Sequence, residues 1–380
     1  MTTGVSLHAL RGQCHGFFLD FDRFVHCALF YAVTWFSDMD LKDSIYECTA
    51  VQGLSGREDS VAEYLRGRLE KSGITAYTDT AGNVRGRIES KRKNAKTILL
   101  EAHMDQIGLM VSGIDDEGYI RFANLGGIDE RILCGMEVKI LGRKMIDGIV
   151  TSFSPVDKEK KKRTAETNEL RIDTGLNKNE AAKFISPGNG ILMKFEFTEL
   201  MGDKLSSAAM DNRAGAAAVL DSVERLTKTE LIYNIEVVFS TQEELGLHGA
   251  FAGIEPGAAE AAIAVDVTHG MTPDSKDETG VFPLGSGAVI CRGPNLHYDY
   301  TRQLIKTAEE NSIPYEIEVA AGGSGTTAWA IQTIGNGIPV MLISIPLRYM
   351  HTNVESLKLS DVKAVSDLIF EAVSGGVKLD

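Results

Sequence analysis

From residue 75 to the C-terminus, short apolar runs bounded by turn residues alternate with stretches of helical period. That alternation predicts an α/β fold, with a mostly parallel mixed sheet flanked by helices. Four runs carry most of the prediction: TILLEA at 97–102, IEVVFST at 235–241, AAIAV at 261–265 and VMLISIP at 340–346. Upstream, 40–52 reads as a helix with an acidic cap, 53–56 as a turn, and 60–72 as a second amphipathic helix. Between 107 and 200 the pattern changes to short strands, GLMVSG, YIRFA, EVKILG, DGIVTSF and ILMKFEF, with one helix signal at 177–184. A small β domain at 106–200 is therefore expected, inserted into an α/β catalytic domain made of 39–105 and 201–380. Such insertions carry oligomerisation or gate a site.

Residues 1–38 fit neither pattern. They hold eight of the 27 aromatic residues and three of the eight histidines. Asp20, Asp22 and Arg23 interrupt any signal-peptide pattern, and the apolar run 27–36 is about half of what spans a bilayer. Met39 opens a sequence of different character, so translation is expected to start there, with 1–38 an over-read leader. Mass spectrometry of the N-terminal peptide checks this.

The 380 residues allow about two domains, and the composition is that of a globular protein. The formal net charge is −14, from 39 basic and 53 acidic residues, which disfavours a nucleic-acid surface. The longest basic run, KEKKKR at 158–163, reads as a solvated loop. Five dispersed cysteines with no CxxC pairing exclude a zinc ribbon and fit a reducing, cytoplasmic compartment. No membrane partner is expected.

In open α/β sheets, ligands bind beyond the carboxyl ends of the strands. Each of the four runs delivers chemistry there: His103 and Asp105, Glu243 and Glu244, Asp266, and His351. Asp211 heads a helix rich in small residues, where an ordinary N-cap is the blander reading. Singly, each residue has such an alternative; their joint placement is what argues for a site. Two imidazoles with several carboxylates suit zinc, cobalt or manganese and make a poor cage for calcium. Five ligands are too many for one open tetrahedral ion and suit two ions sharing a carboxylate, about 3.5–4 Å apart. One of the adjacent glutamates is then free to move protons, and Asp105 is placed to receive the second N–H of His103.

The ordered motifs EAHMDQIGLMV, AAMDNRAGA, STQEELGLHGA, AVDVTHG and LRYMHTNVE resemble the two-metal aminopeptidases of the glutamyl and deblocking group, the tetrahedral aminopeptidases. The similarity runs from about Met39 to the C-terminus. The resemblance implies a zinc-peptidase-like catalytic domain and metal-dependent release of N-terminal residues from short peptides. It places His103 and Asp266 on one metal, Asp211 as the bridge, and Glu244 with His351 on the other. Glu243 becomes the general base and Asp105 the orienting carboxylate. It further implies a PDZ-like insertion that builds dimers, often assembled into dodecamers. Two positions depart from the family: Gln106 stands where many relatives have Glu, and Thr327 where they commonly have Asp. A metal-free glycoside hydrolase using paired carboxylates is the rival reading, since some relatives have carried a cellulase label. A scaffold that has lost catalysis would show erosion at a ligand or at the base, and neither is eroded.

Overall fold

The structure, a computed structural model, describes residues 40–152, 165–194, 196–275 and 278–379. The expected leader at 1–38 and the basic run at 158–163 lie outside the described residues.

Asp40 caps α1 (Leu41–Ala50), its carboxylate accepting the Lys42 N–H at 3.4 Å. In α2 (Asp59–Lys71), Val61, Leu65 and Leu69 recur every four residues and bury one face. Strands β1 (Thr75–Thr78), β2 (Val84–Ile88) and β3 (Thr97–His103) follow.

The chain then leaves for a closed six-stranded barrel. Its strands are β4 (Gly108–Ile114), β5 (Ile120–Leu125), β6 (Glu137–Leu141), β7 (Met145–Ser152), β8 (Leu170–Asp173) and β9 (Gly190–Met193), joined in the order β4-β5-β8-β7-β6-β9. The barrel holds a core of its own, built from residues such as Leu109, Ile120, Val138, Val150 and Ile172. Its short helix α3 (Lys178–Ala181) is held by a capping box between Asn177 and Glu180. The apolar pattern had not marked β8, whose four residues LRID offer only two buried positions.

Past β10 (Thr198–Leu200) and β11 (Lys204–Ser207) come α4 (Met210–Leu226), β12 (Asn234–Ser240), α5 (His248–Gly253), β13 (Ala261–His269) and β14 (Ala288–Arg292). The remainder is α6 (Tyr298–Glu310), β15 (Tyr315–Val319), α7 (Ala328–Ile331), β16 (Val340–Leu347), β17 (Glu355–Lys358) and α8 (Leu359–Glu371). A small sheet, β10-β11-β17, joins the end of the insertion to the strand after His351.

The main sheet has the order β1-β2-β12-β3-β13-β16-β14-β15. Its centre, β12-β3-β13-β16, is parallel, and antiparallel pairs flank it on both sides. Strand alternation splits the side chains between two faces. Ile98, Leu100, Ile263, Val265, Ile343 and Ile345 join α4 and α8 in the larger core. Leu99, Val238, Ala262, Ala264, Val340 and Leu342 face the other way, against α5 and α7. Continued toward the carboxyl ends, that second parity places Glu101, His103, Ser240, Asp266, Thr268 and Ser344 on one face.

One expectation shifts here. Asp266 was read as lying just past a strand end, yet β13 runs on to His269 because its parallel pairing with β16 continues as far as Leu347. Asp266 is thus fixed by ladder hydrogen bonds on a rigid strand.

Candidate metal centre

His103 is the last residue of β3, 1 % exposed. Its Nε2 lies 3.0 Å from Asp211 Oδ1 and 3.6 Å from Asp266 Oδ1. On the other side of Asp211, Oδ2 lies 3.5 Å from His351 Nε2, and that nitrogen is also 3.5 Å from Glu244 Oε2. The two triads, His103-Asp211-Asp266 and Asp211-Glu244-His351, each bring their donor atoms within 4.8 Å of one another. Asp211 belongs to both, offering one oxygen to each.

Backbone conformation explains how Asp211 reaches this position. It is not an N-cap: Ala209 holds the cap position at φ 60°, and Asp211 and Asn212 depart from helical angles before α4 settles. Asn212 Nδ2 donates to the Val265 carbonyl at 2.6 Å, tying this turn to β13 beside Asp266. Gly215 is required there, since a Cβ would come 2.0 Å from Asn212 Oδ1. Gln242 and His351 also take left-handed φ, 50° and 62°, a conformation that non-glycine residues adopt mainly where tertiary structure enforces it.

Both imidazoles are oriented from behind. His103 Nδ1 lies 3.3 Å from Asp105 Oδ1, so Nε2 is left facing the cluster. Asp105 also accepts the Glu243 N–H at 2.9 Å and the Glu244 N–H at 3.3 Å, fixing the loop that carries the glutamate pair. The His351 ring meets the Gly127 backbone of the inserted barrel, where a Cβ would sit 3.0 Å from its Nδ1.

Sequence reasoning missed Glu355. It is 1 % exposed and accepts the Asp211 N–H at 3.1 Å and the His351 N–H at 2.8 Å, so it locks two cluster residues together. It ends the motif LRYMHTNVE, but a carboxylate binding backbone amides leaves no spacing signal. The two departures also find partners. Gln106 Oε1 lies 3.4 Å from an Arg213 nitrogen, and Arg213 otherwise donates to the carbonyls of Met104, Cys48 and Val51. The Thr327 hydroxyl donates to Glu101, a fully buried carboxylate that also accepts from Ser240. A carboxylate is therefore present in space beside position 327, though not at it in sequence.

The electrostatics are those of an acidic cluster short of cations. Burial, aided by the Asp266 and Asp211 charges, pushes Glu243 up to about 8 against the pull of His103. Burial and Asp211 push Glu244 well above the carboxylate range, and burial raises Asp266 too. Burial works against the charge of His103, but Glu243, Asp105, Asp211 and Asp266 outweigh it and hold its pKa well above the usual value. Asp211 moves the other way: burial opposes its charge, yet the two histidines on its flanks win and lower it. Among the described residues the ion pairs of Asp211, Glu244 and Asp266 are to histidine, and buried carboxylates so gathered are costly unless a cation compensates them. Imidazole nitrogen and carboxylate oxygen are also the donors that zinc, cobalt and manganese accept. The residues present fit divalent metal. They open onto a cleft of about 630 Å³ that Trp329, Thr268 and Glu318 also line.

Comparison with known proteins gives the family. Residues 82–368 match the profile of the M42 glutamyl aminopeptidases. The lysyl aminopeptidase of Pyrococcus furiosus is 30 % identical over 340 residues, covering 87 % of this chain and 94 % of that one. Among solved structures, an aminopeptidase from the archaeon Desulfurococcus kamchatkensis superposes with a TM-score of 0.82 at 31 % identity, over 88 % of this chain and 94 % of its own. The TET1 peptidase of Pyrococcus horikoshii, described as assembling into a tetrahedron or an octahedral shell, gives 0.78 at 30 % identity, over 88 % and 99 %.

Proposed function

The chain belongs to the M42 glutamyl aminopeptidase family and is a metal-dependent aminopeptidase, and from that premise we propose how its residues divide the work. His103, Asp266 and Asp211 would hold one divalent ion, and Asp211, Glu244 and His351 a second. Zinc or cobalt suits the donors best, and manganese accepts the same set. The observation that carries the reading is Asp211, whose two oxygens face two separate triads.

Bound divalent cations supply Lewis acidity, polarising the scissile carbonyl and acidifying water. The rest falls to the chain. Glu243 takes the proton of the attacking water and passes it to the departing amine, a task suited to a carboxyl whose pKa burial has raised toward neutrality. Asp105 keeps Glu243 on station through its backbone N–H, and the acidic wall attracts the positively charged amino terminus of a short peptide. Glu243→Gln should keep both metals and lower kcat about 10²–10⁴-fold. Near-normal turnover of aminoacyl anilides by that variant would remove Glu243 from the role of base.

The inserted domain, at about 106–200, is the PDZ-like element of this reading. It pairs subunits into dimers that assemble further, toward a dodecamer. Likeness to the TET1 peptidase supports this, as do Met145 and Ile149, exposed on one face of β7. Cytoplasmic residence follows from the same reading, and Cys48, Cys134 and Cys291 are free thiols. Glycoside hydrolysis by a carboxylate pair uses neither metal nor imidazole, whereas each triad here contains a histidine nitrogen.

A further inference from the structure

The family profile names glutamyl substrates and one relative is named for lysine, so membership alone does not set which residue is released. The cleft beyond the ligands is more specific. Thr268 follows Asp266 by two residues on β13, on the same face and roughly 6.6 Å farther along the strand. Ser344 stands opposite Asp266 on β16. Glu318 reaches in from the edge strand β15, and its Oε1 accepts the Thr268 hydroxyl at 3.0 Å. All three line the cleft that contains His103 and Asp266.

Two observations mark this end of the cleft as a recognition site. Ser344 Oγ is on a residue only 1 % exposed and has no hydrogen-bond partner. Buried hydroxyls are rarely left unpaired, and this one borders the space a substrate would fill. Glu318 is half-buried, and among the described residues its carboxylate accepts the Thr268 hydroxyl while no lysine or arginine forms an ion pair with it. A cleft carboxylate left without a paired lysine or arginine among the described residues invites a cation from outside the chain.

We propose that Glu318, with Thr268 and Ser344, recognises the side chain of the substrate's N-terminal residue and selects lysine and arginine. The inference rests on the aminopeptidase reading above. With the scissile bond at the metal cluster, the distance from Asp266 to Thr268 suits a long side chain. Trp329, 42 % exposed on the cleft wall, offers an apolar surface for the methylene stem. Glu318 receives the terminal ammonium or guanidinium, and Ser344 Oγ accepts a remaining N–H. A glutamyl or aspartyl terminus would meet like charge and be rejected.

The test uses metal-loaded full-length protein and p-nitroanilides of lysine, norleucine and glutamate. Norleucine keeps the stem of lysine and lacks its charge. The expected ratio of kcat/KM for lysyl over norleucyl is roughly ten- to hundredfold, with glutamyl poorest. Glu318→Gln, which retains an acceptor for Thr268, should bring that ratio to near one, and Glu318→Lys should raise glutamyl above lysyl. An unchanged ratio in Glu318→Gln overturns the proposal, as does an equal fall on lysyl and norleucyl substrates, which would mean the carboxylate serves the α-amine or the fold. A wild type that prefers norleucyl or glutamyl also overturns it. Failure of the aminopeptidase reading looks different: no anilide of any residue would be cleaved with any metal.

Discussion

Leu100 and Glu101 are neighbours on β3, both 0 % exposed, yet they belong to different worlds. Leu100 points into the core under α4 and α8 with Ile263 and Ile343. Glu101 points to the other face, two residues before His103, among Ser240 and Thr327. The same parity runs across the sheet: Ile263 and Val265 are core, while Asp266 and Thr268 face the cleft. One face is apolar to its end and supplies stability. The other is apolar only in its lower half and turns polar where the strands end, so that function occupies the part of the sheet that stability does not need.

Substitutions on the two faces should separate these roles. Leu100→Ala removes a fully buried side chain and should cost about 2–5 kcal/mol in urea unfolding. Below the transition, its metal affinity and KM should stay those of the parent. A specific loss of metal at full folding would show that the two faces are not independent.

On the polar face the expected signature is pH dependence. Burial raises Glu101 to about 7, against the hydrogen bonds from Ser240 and Thr327 and the His103 charge that lower it. A carboxyl with a raised folded pKa binds its proton more tightly in the native state. Its stabilising contribution is therefore complete below the unfolded value near 4.5 and is lost as pH rises toward 7. For metal-free protein this amounts to roughly 3 kcal/mol across that window. Glu101→Gln should flatten the slope between pH 4.5 and 7; an unchanged slope in chemical denaturation would place the titration elsewhere.

A smaller effect is expected where the faces meet, at α4. Gly215→Ala would press a methyl on Asn212 and shift the turn carrying Asp211. About 1–3 kcal/mol of stability should be lost, and metal affinity should fall with it. Metal titration at matched folded fraction separates the two.

Much of this was legible in the sequence for a physical reason. Strands buried on both faces read as apolar runs, and in such sheets the residues at their ends are the ones a ligand meets, so His103, Glu243, Glu244, Asp266 and His351 stood out. What escaped depends on contacts distant in the chain. Glu355 acts by accepting backbone N–H groups from residues 144 and four positions away. Glu101 interrupts a strand that reads as apolar, and its partner Thr327 is 226 residues on. Ser344 and Glu318 look like ordinary strand polars until the sheet order sets β16 beside β13 and the Glu318 side chain on β15 meets Thr268. Asp211 was ambiguous because a helix start needs a cap as readily as a metal needs a ligand.

The central claim is that Asp211 divides its two oxygens between two ion sites, and counting metal tests it directly. Metal-free protein titrated with zinc or cobalt, read by calorimetry and elemental analysis, should take up two ions per subunit. Asp211→Asn should lose tight binding at both sites. One ion in the wild type, or two bound with undiminished affinity by Asp211→Asn, would contradict the account.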